Sequence, residues 1–205
     1  MLDLLPIAAT CFGIPQYLPQ ILKLRRTGDT AGVSWSWATL TSINNAAWFG
    51  YFMASGYWTA SLPSTAAATL AGTLSVMLVR RGALNPRAVG WIVGWAGLLA
   101  VAAIVGGRIG LGTLLAAASI VQVTPSLWTA YRTGRPTGIS PGTWALVLGE
   151  LSCWFVFGLS NADVRLTALG ATGVLASLLM LGRAHATRRQ RIVTIDAVDS
   201  GAGRA

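Results

Sequence analysis

Glu150 is the one carboxylate that lies inside an apolar run of this sequence. A charged side chain in the hydrocarbon of a membrane costs about 3 kcal/mol or more, so such residues usually face a bundle interior or a water-filled cavity. Three roles are open for Glu150. It could couple transport to protons, bind a polar or cationic substrate directly, or serve as a structural acid bonded to a neighbouring helix.

Two tryptophans lie near polar residues at the same spacing. Trp48 follows Asn44 by four residues, and Trp154 follows Glu150 by four, so each pair shares one helical face. Aromatic faces beside polar groups suit stacking on sugar rings and binding of cations. We therefore predict substrate-binding roles for Asn44, Trp48, Glu150 and Trp154, with Asn44 as the partner of Glu150. Four other tryptophans are expected in the interfacial belt: Trp35, Trp37, Trp58 and Trp128.

Prolines and amides occur together in two apolar segments. Gln16 and Pro19 in the first segment correspond to Gln122 and Pro125 in the second. A proline removes a helical hydrogen bond, and matching breaks in two halves of a membrane protein point to a moving helix that lines the substrate path. We predict Pro19 and Pro125 as hinges and Gln16 and Gln122 as substrate-binding residues; the alternative is that the prolines only shape helix packing.

Other kinds of chemistry find no support in the sequence. It contains no phosphate-binding loop, no metal-ligand cluster and no nucleophile–base pair. We therefore expect neither an enzyme nor a cofactor. The net charge of +9 is divided among small clusters between apolar runs, which is unlike the continuous basic face that nucleic acid requires.

The composition indicates an integral membrane protein, because 54% of the residues are hydrophobic and only 10% are charged. A membrane-spanning helix needs about 20 mostly apolar residues. We predict an all-α protein with seven transmembrane helices, at 4–24, 34–55, 62–79, 88–106, 111–131, 140–160 and 165–182. The polar residues 184–205 are expected to form a disordered basic cytoplasmic tail.

The basic residues predict the orientation. Thirteen of the fifteen lie in alternate loops and the tail, and the other side has only Arg108 and Arg165. The positive-inside rule then places the N-terminus outside and the C-terminus in the cytoplasm. We expect a multi-pass protein of a bacterial-type inner (plasma) membrane.

An internal repeat organises the chain. Shifting it by 106 residues places "QYLPQILKLRRTGDTAGVS" (16–34) over "QVTPSLWTAYRTGRPTGIS" (122–140), and Trp48 over Trp154. We predict two parallel three-helix bundles, at 1–83 and 110–183, joined by a linker helix at 84–109 that inverts the chain. Both halves of a pore then lie in one chain, which is compatible with a homo-oligomer but does not require one.

The motif "PQILKLRRTGDTAGVS" (19–34) resembles the signature of the PQ-loop superfamily. Within that superfamily, "NNAAWFGY" (44–51) and "SCWFVFG" (152–158) are similar to segments of the SWEET and SemiSWEET sugar transporters. The resemblance implies two triple-helix bundles, each with helix order 1-3-2, and alternating access to a central pocket. SWEETs carry an asparagine in the third helix of each repeat, and these positions are Ser64 and Gly170 here. The resemblance therefore also implies a substrate role for Ser64.

Three functions are consistent with these features. The first is facilitated movement of a small sugar or polyol. The second is proton-coupled transport of an amino acid or other small solute through Glu150, because "VLGEL" (147–151) is similar to the acid-bearing helix of PQ-loop lysosomal amino-acid exporters. The third is a receptor or sensor on the same fold that transports nothing. In each case the expected partners are a small-molecule substrate and the lipid bilayer.

Overall fold

The computed structural model describes residues 4–28, 30, 34–132 and 140–202, and its elements are helices with no strand among these residues. Side chains of residues 19, 20, 23, 125, 126, 129 and 188–202 lie outside the description. The elements are α1 (Leu4–Gly13), a 3-10 turn (Ile14–Gln16), α2 (Leu18–Thr27), α3 (Trp35–Ser55), α4 (Ser61–Arg80), α5 (Pro86–Arg132), α6 (Pro141–Ser160) and α7 (Val164–Ala202).

Four helical segments are long and apolar enough to cross a membrane. They are Ser61–Arg80, Pro86–Thr124, Pro141–Ser160 and Val164–Thr187. Helix α3 has sufficient length at 21 residues, but Asn44 and Asn45 interrupt its apolar character. Leu4–Gln16 is apolar but shorter. The protein is therefore an all-helical, multi-pass membrane protein, and the number of seven crossings stays a prediction.

The first predicted span is tightened locally but not unwound. Pro15 lies in the 3-10 turn, and Tyr17 continues with right-handed helical angles (φ −94°, ψ −35°) into α2. Pro19 is in the first turn of α2, where its missing N–H leaves no helical hydrogen bond unmade. Short 3-10 stretches within helices often mark hinges. Pro125, in contrast, lies within a continuous stretch of α5.

Helix α5 reverses direction at Gly107. This residue has φ 56° and ψ −150°, a backbone conformation that essentially only glycine adopts. A Cβ built on Gly110 would lie 2.7 Å from the carbonyl oxygen of Ala102, although eight residues of straight helix would separate the two by about 12 Å. The two halves, 86–106 and 108–132, therefore run back alongside each other.

The sequence repeat is also a repeat of backbone structure. Ser34 and Ser140 cap α3 and α6, because their hydroxyls accept hydrogen bonds from the backbone N–H groups of Trp37 and Thr143 (3.3 and 3.4 Å). After these helices, Gly56 (φ 76°) and Ala162 (φ 52°) occupy matching left-handed positions. The second helix of each unit therefore begins after a capping serine and ends at a left-handed turn, and both features occur in both repeats.

Each unit has its third helix in contact with the other two. Helix α4 packs against α1 and α3, and α7 packs against α5 and α6. The units meet where α1 contacts α6 and where α3 contacts α5. A buried core at this junction contains Trp48, Tyr51, Phe52, Trp154 and Phe157. Aromatic side chains from both units therefore form the centre of the molecule.

Helix α7 extends beyond the predicted span and reaches Ala202. The sequence analysis predicted a disordered tail over 184–205, and the structure instead places residues 184–202 in this helix. The segment contains no proline and no glycine before Gly201, and alanine, arginine and glutamine favour helix. The polarity of the segment therefore indicates only that it lies outside a membrane.

Candidate functional site

A cavity of about 310 Å³ lies between the two units. This volume is at the lower end of the range for small-molecule sites. Its lining comes from α3, α4, α5, α6 and α7 together with Tyr17, so both repeats contribute to it. The polar side chains in this lining are Tyr17, Thr41, Asn44, Asn45, Ser64, Ser119, Gln122, Glu150 and Thr172.

The structure brings most of the predicted site residues to this one cavity. The predicted residues in its wall are Asn44, Trp48, Ser64, Gln122, Glu150 and Trp154. Gln16 is not in the wall but reaches Glu150 from the 3-10 turn that follows α1. The side chains of the predicted hinges Pro19 and Pro125 lie outside the described residues. The cavity thus joins residues as far apart in sequence as Tyr17 and Gly173.

Glu150 is hydrogen-bonded, although not by the predicted partner. The side-chain amide of Gln16 donates to Oε2 of Glu150 at 2.8 Å, and the indole of Trp154 lies within hydrogen-bonding reach of the same carboxyl group. The close approach of α1 permits this, because a Cβ on Gly13 would lie 3.0 Å from Oε1. The predicted pairing of Glu150 with Asn44 is wrong: the two residues match in the repeat but bond to different helices.

Asn44 bonds to the linker half of α5. Its Oδ1 accepts a hydrogen bond from Nε1 of Trp95 at 2.7 Å, and only 9% of the residue is exposed. This bond occupies the carbonyl of Asn44 and leaves its amide N–H groups for a molecule in the cavity. The segment 84–109, expected only to join the repeats, therefore also orients a cavity residue.

The two predicted tryptophans do not face each other across open space. Phe52 lies between them, stacked on Trp154 (5.1 Å between ring centroids, 8° between planes) and on Trp48 (5.7 Å, 23°). Both tryptophans are buried and still contribute to the cavity wall. One face of each indole is therefore occupied by Phe52, a residue that the sequence analysis missed. Its position four residues after Trp48 was the signal that could have identified it.

Ser64 and Gly170, which match in the repeat, have different environments. Ser64 is buried in the cavity wall. At Gly170 an added Cβ would lie 2.6 Å from Cβ of Phe155, so α7 and α6 approach too closely for any side chain there. The cavity is consequently asymmetric, with a serine hydroxyl from the first unit and the Glu150 carboxyl from the second.

A buried hydrogen bond between Tyr51 and Asp163, which sequence reasoning missed, joins the two units near the end of α3. The hydroxyl of Tyr51 donates to Oδ2 of Asp163, and both side chains are buried. Oδ1 of Asp163 accepts the backbone N–H of Arg165 at 3.1 Å, so Asp163 also caps α7. These contacts tie the end of the first unit's α3 to the start of α7 in the second unit.

Of the four tryptophans expected in the interfacial belt, one is buried and three are exposed. Trp35 is buried against α4, and Trp37 lines the cavity and stacks on Tyr17 at 6.3 Å. Trp58 and Trp128 are exposed, as a belt position requires. Trp37 is nevertheless 46% exposed, so its contact with the cavity does not exclude an interfacial position.

The first part of the chain matches a known family of repeats. Residues 1–61 match the family described as the PQ loop repeat, a range that extends from the N-terminus to the first residue of α4. No curated protein matches the chain. The matched range includes the Pro-Gln pairs, the Ser34 cap and the cavity residues Asn44 and Trp48. The first unit of the protein is therefore similar to a PQ loop repeat.

Proposed function

We propose that this protein is an integral membrane transporter, of the SWEET type within the PQ-loop superfamily, that facilitates movement of a small sugar or polyol by alternating access. The cavity between the repeats is the observation that carries the proposal. Its wall combines aromatic rings with uncharged hydrogen-bonding groups, including Asn44, Ser64 and Gln122. Such a wall suits a small polyhydroxylated solute, which presents both donors and acceptors.

The proposed topology has seven crossings, as two three-helix bundles on either side of one linker helix. The reversal of α5 at Gly107 supports this count, since each half is about 20 residues or more and can span a bilayer. The matching caps and turns of α3 and α6 support the equivalence of the two units. The N-terminus is then outside and the C-terminus cytoplasmic, by the distribution of basic residues.

The charge of the lining favours a neutral solute over an amino acid. Of the described residues that line the cavity, none is Lys, Arg or His, and the one ionisable acid is Glu150. The carboxylate of an amino acid would lack a cationic partner there and would be repelled by an ionised Glu150. A sugar or polyol hydroxyl can donate to Glu150 and accept from the amide of Asn44.

Proton-coupled transport is the second candidate, because Glu150 lies in the cavity wall and bonds to Gln16. Protonation would remove the charge that Gln16 stabilises and so weaken the contact between the 3-10 turn and α6. This candidate extends to amino acids and other small solutes.

Uptake into proteoliposomes separates these functions. Labelled sugars, polyols and amino acids would be tested with and without a pH gradient, using wild type and Glu150→Gln. Sugar flux that is independent of the gradient supports the first proposal. Flux that requires the gradient and is lost in Glu150→Gln supports the second. Binding of a solute without any flux would instead indicate a receptor or sensor.

A further inference from the structure

A second cavity, of about 280 Å³, lies beside the first and is almost entirely apolar. We call it the lateral groove; it is lined by Leu40, Asn44, Trp91, Trp95, Ala118, Val121 and Gln122. Trp91 is 85% exposed and Val121 is 71% exposed, so the groove opens on the outer surface of the helices. In a membrane protein this surface faces acyl chains.

Basic residues lie at one end of the lateral groove. Arg87 precedes Trp91 by four residues, and Arg132 follows Trp128 by four, so each arginine shares a helical face with a tryptophan. The guanidinium of Arg132 lies 4.2 Å from the ring centroid of Trp128. Because α5 reverses at Gly107, its two ends, and hence both arginines, lie at the same end of the groove.

We propose that the lateral groove binds one acyl chain of an anionic phospholipid, with the headgroup at Arg87 and Arg132. Both arginines are exposed, and α5 contains no acidic residue that would compete for them. Exposed Trp91 and Trp128 then lie at the headgroup level, where tryptophan is favoured. A second copy of this chain fits less well, because each copy has a net charge of +9 and the arginines beside the groove would repel another basic chain.

This site adjoins the central cavity. Asn44 and Gln122 line both spaces, and the Trp95–Asn44 hydrogen bond lies between them. A chain in the groove packs against Trp95 and holds its indole on Asn44. The lipid therefore stabilises one arrangement of the cavity wall.

Lipid binding to the purified full-length protein in neutral detergent tests the proposal. Native mass spectrometry would compare phosphatidylglycerol with phosphatidylcholine of identical acyl chains. We expect phosphatidylglycerol to bind more tightly than phosphatidylcholine, with each arginine contributing about fivefold to its affinity. The double variant Arg87→Gln/Arg132→Gln should therefore bind phosphatidylglycerol about 25-fold more weakly and no longer prefer it. Arg108→Gln, an exposed arginine on the same helix at the reversal, is the matched control and should keep the preference.

A groove-filling variant tests the acyl site separately from the charge. Ala118→Trp occupies the lateral groove and should weaken binding of both lipids, while thermal unfolding shows whether the variant folds. Three results would overturn the proposal: equal binding of the two lipids by wild type, an unchanged preference in the double arginine variant, or a dimer that covers the groove. None of these readouts depends on transport.

Discussion

At the scale of single residues, the hydrogen bond between Gln16 and Glu150 links the two units beside the cavity. It joins the 3-10 turn of the first unit to α6 of the second, and a carboxylate in an apolar bundle needs such a donor. The sequence identified both residues but paired Glu150 with Asn44. A repeat alignment shows which positions are equivalent, and equivalent positions need not touch.

Gln16→Leu should destabilise the protein by about 1–3 kcal/mol, because it removes one of the two donors that face the Glu150 carboxyl group. In a Glu150→Gln background the same substitution should cost less, since no charge is then left unpaired. Thermal unfolding of the four proteins in detergent provides this double-mutant cycle. Equal costs in both backgrounds would show that the two side chains are not coupled.

Phe52 is the residue that holds the two tryptophans in place. Phe52→Ala should lower the free energy of unfolding by about 3–5 kcal/mol, because it removes a buried ring stacked between Trp48 and Trp154. Phe49→Ala is the matched control on the same helix: Phe49 is 40% exposed, so its removal should cost much less. Similar costs for the two variants, measured by chemical denaturation, would contradict a central role for Phe52.

At the scale of elements, the sequence predicted helix positions well and helix irregularities poorly. Apolar runs of about 20 residues fix where α3, α4 and α6 lie, and the predicted break between spans 4 and 5 falls beside Gly107. The reversal itself, the 3-10 turn at Ile14–Gln16 and the extension of α7 depend on backbone angles and packing that hydropathy does not record. Hinge motion at Pro19 and Pro125 stays a prediction.

Comparison of the repeats exposes one strained turn. Gly56 and Ala162 adopt the same left-handed conformation, and the turns after them close with matching backbone bonds, Tyr57 N to Phe52 O (2.9 Å) and Asp163 N to Gly158 O (2.8 Å). Alanine pays a steric penalty in this conformation that glycine avoids. Ala162→Gly should therefore stabilise the protein by about 1 kcal/mol. Gly56→Ala is the reciprocal variant and should destabilise it; a loss of melting temperature in Ala162→Gly would show that the turn is not strained.

At the scale of the whole molecule, the helices separate the basic residues into two groups. The guanidinium of Arg81 lies against Gly28 at the end of α2, and Nε of Arg183 donates to the carbonyl of Ala130 at 3.1 Å near the end of α5. Arg165 instead donates to the carbonyl of Ile109, beside the reversal of α5, at 3.3 Å. About 30 Å of helix separates the reversal from the ends of α5.

Cysteine labelling in cells would test the predicted orientation. In a background with Cys11 and Cys153 replaced, Arg108→Cys should react with a membrane-impermeant maleimide in intact cells. Asn85→Cys, in the basic loop after α4, should react only after permeabilisation. Both positions are exposed, so access and not burial determines the result. The opposite pattern would invert the proposed topology.

The central claim is that a small polyhydroxylated solute passes through the cavity between the repeats, and sugar uptake by two neighbouring variants tests it most directly. Ser64 lines the cavity and Thr65, the next residue of α4, is exposed on the outer surface. In proteoliposomes containing equal amounts of folded protein, Ser64→Phe should abolish uptake of the transported sugar, and Thr65→Phe should retain it. Uptake by Ser64→Phe at the wild-type rate would contradict the claim, because the solute would then cross without passing Ser64.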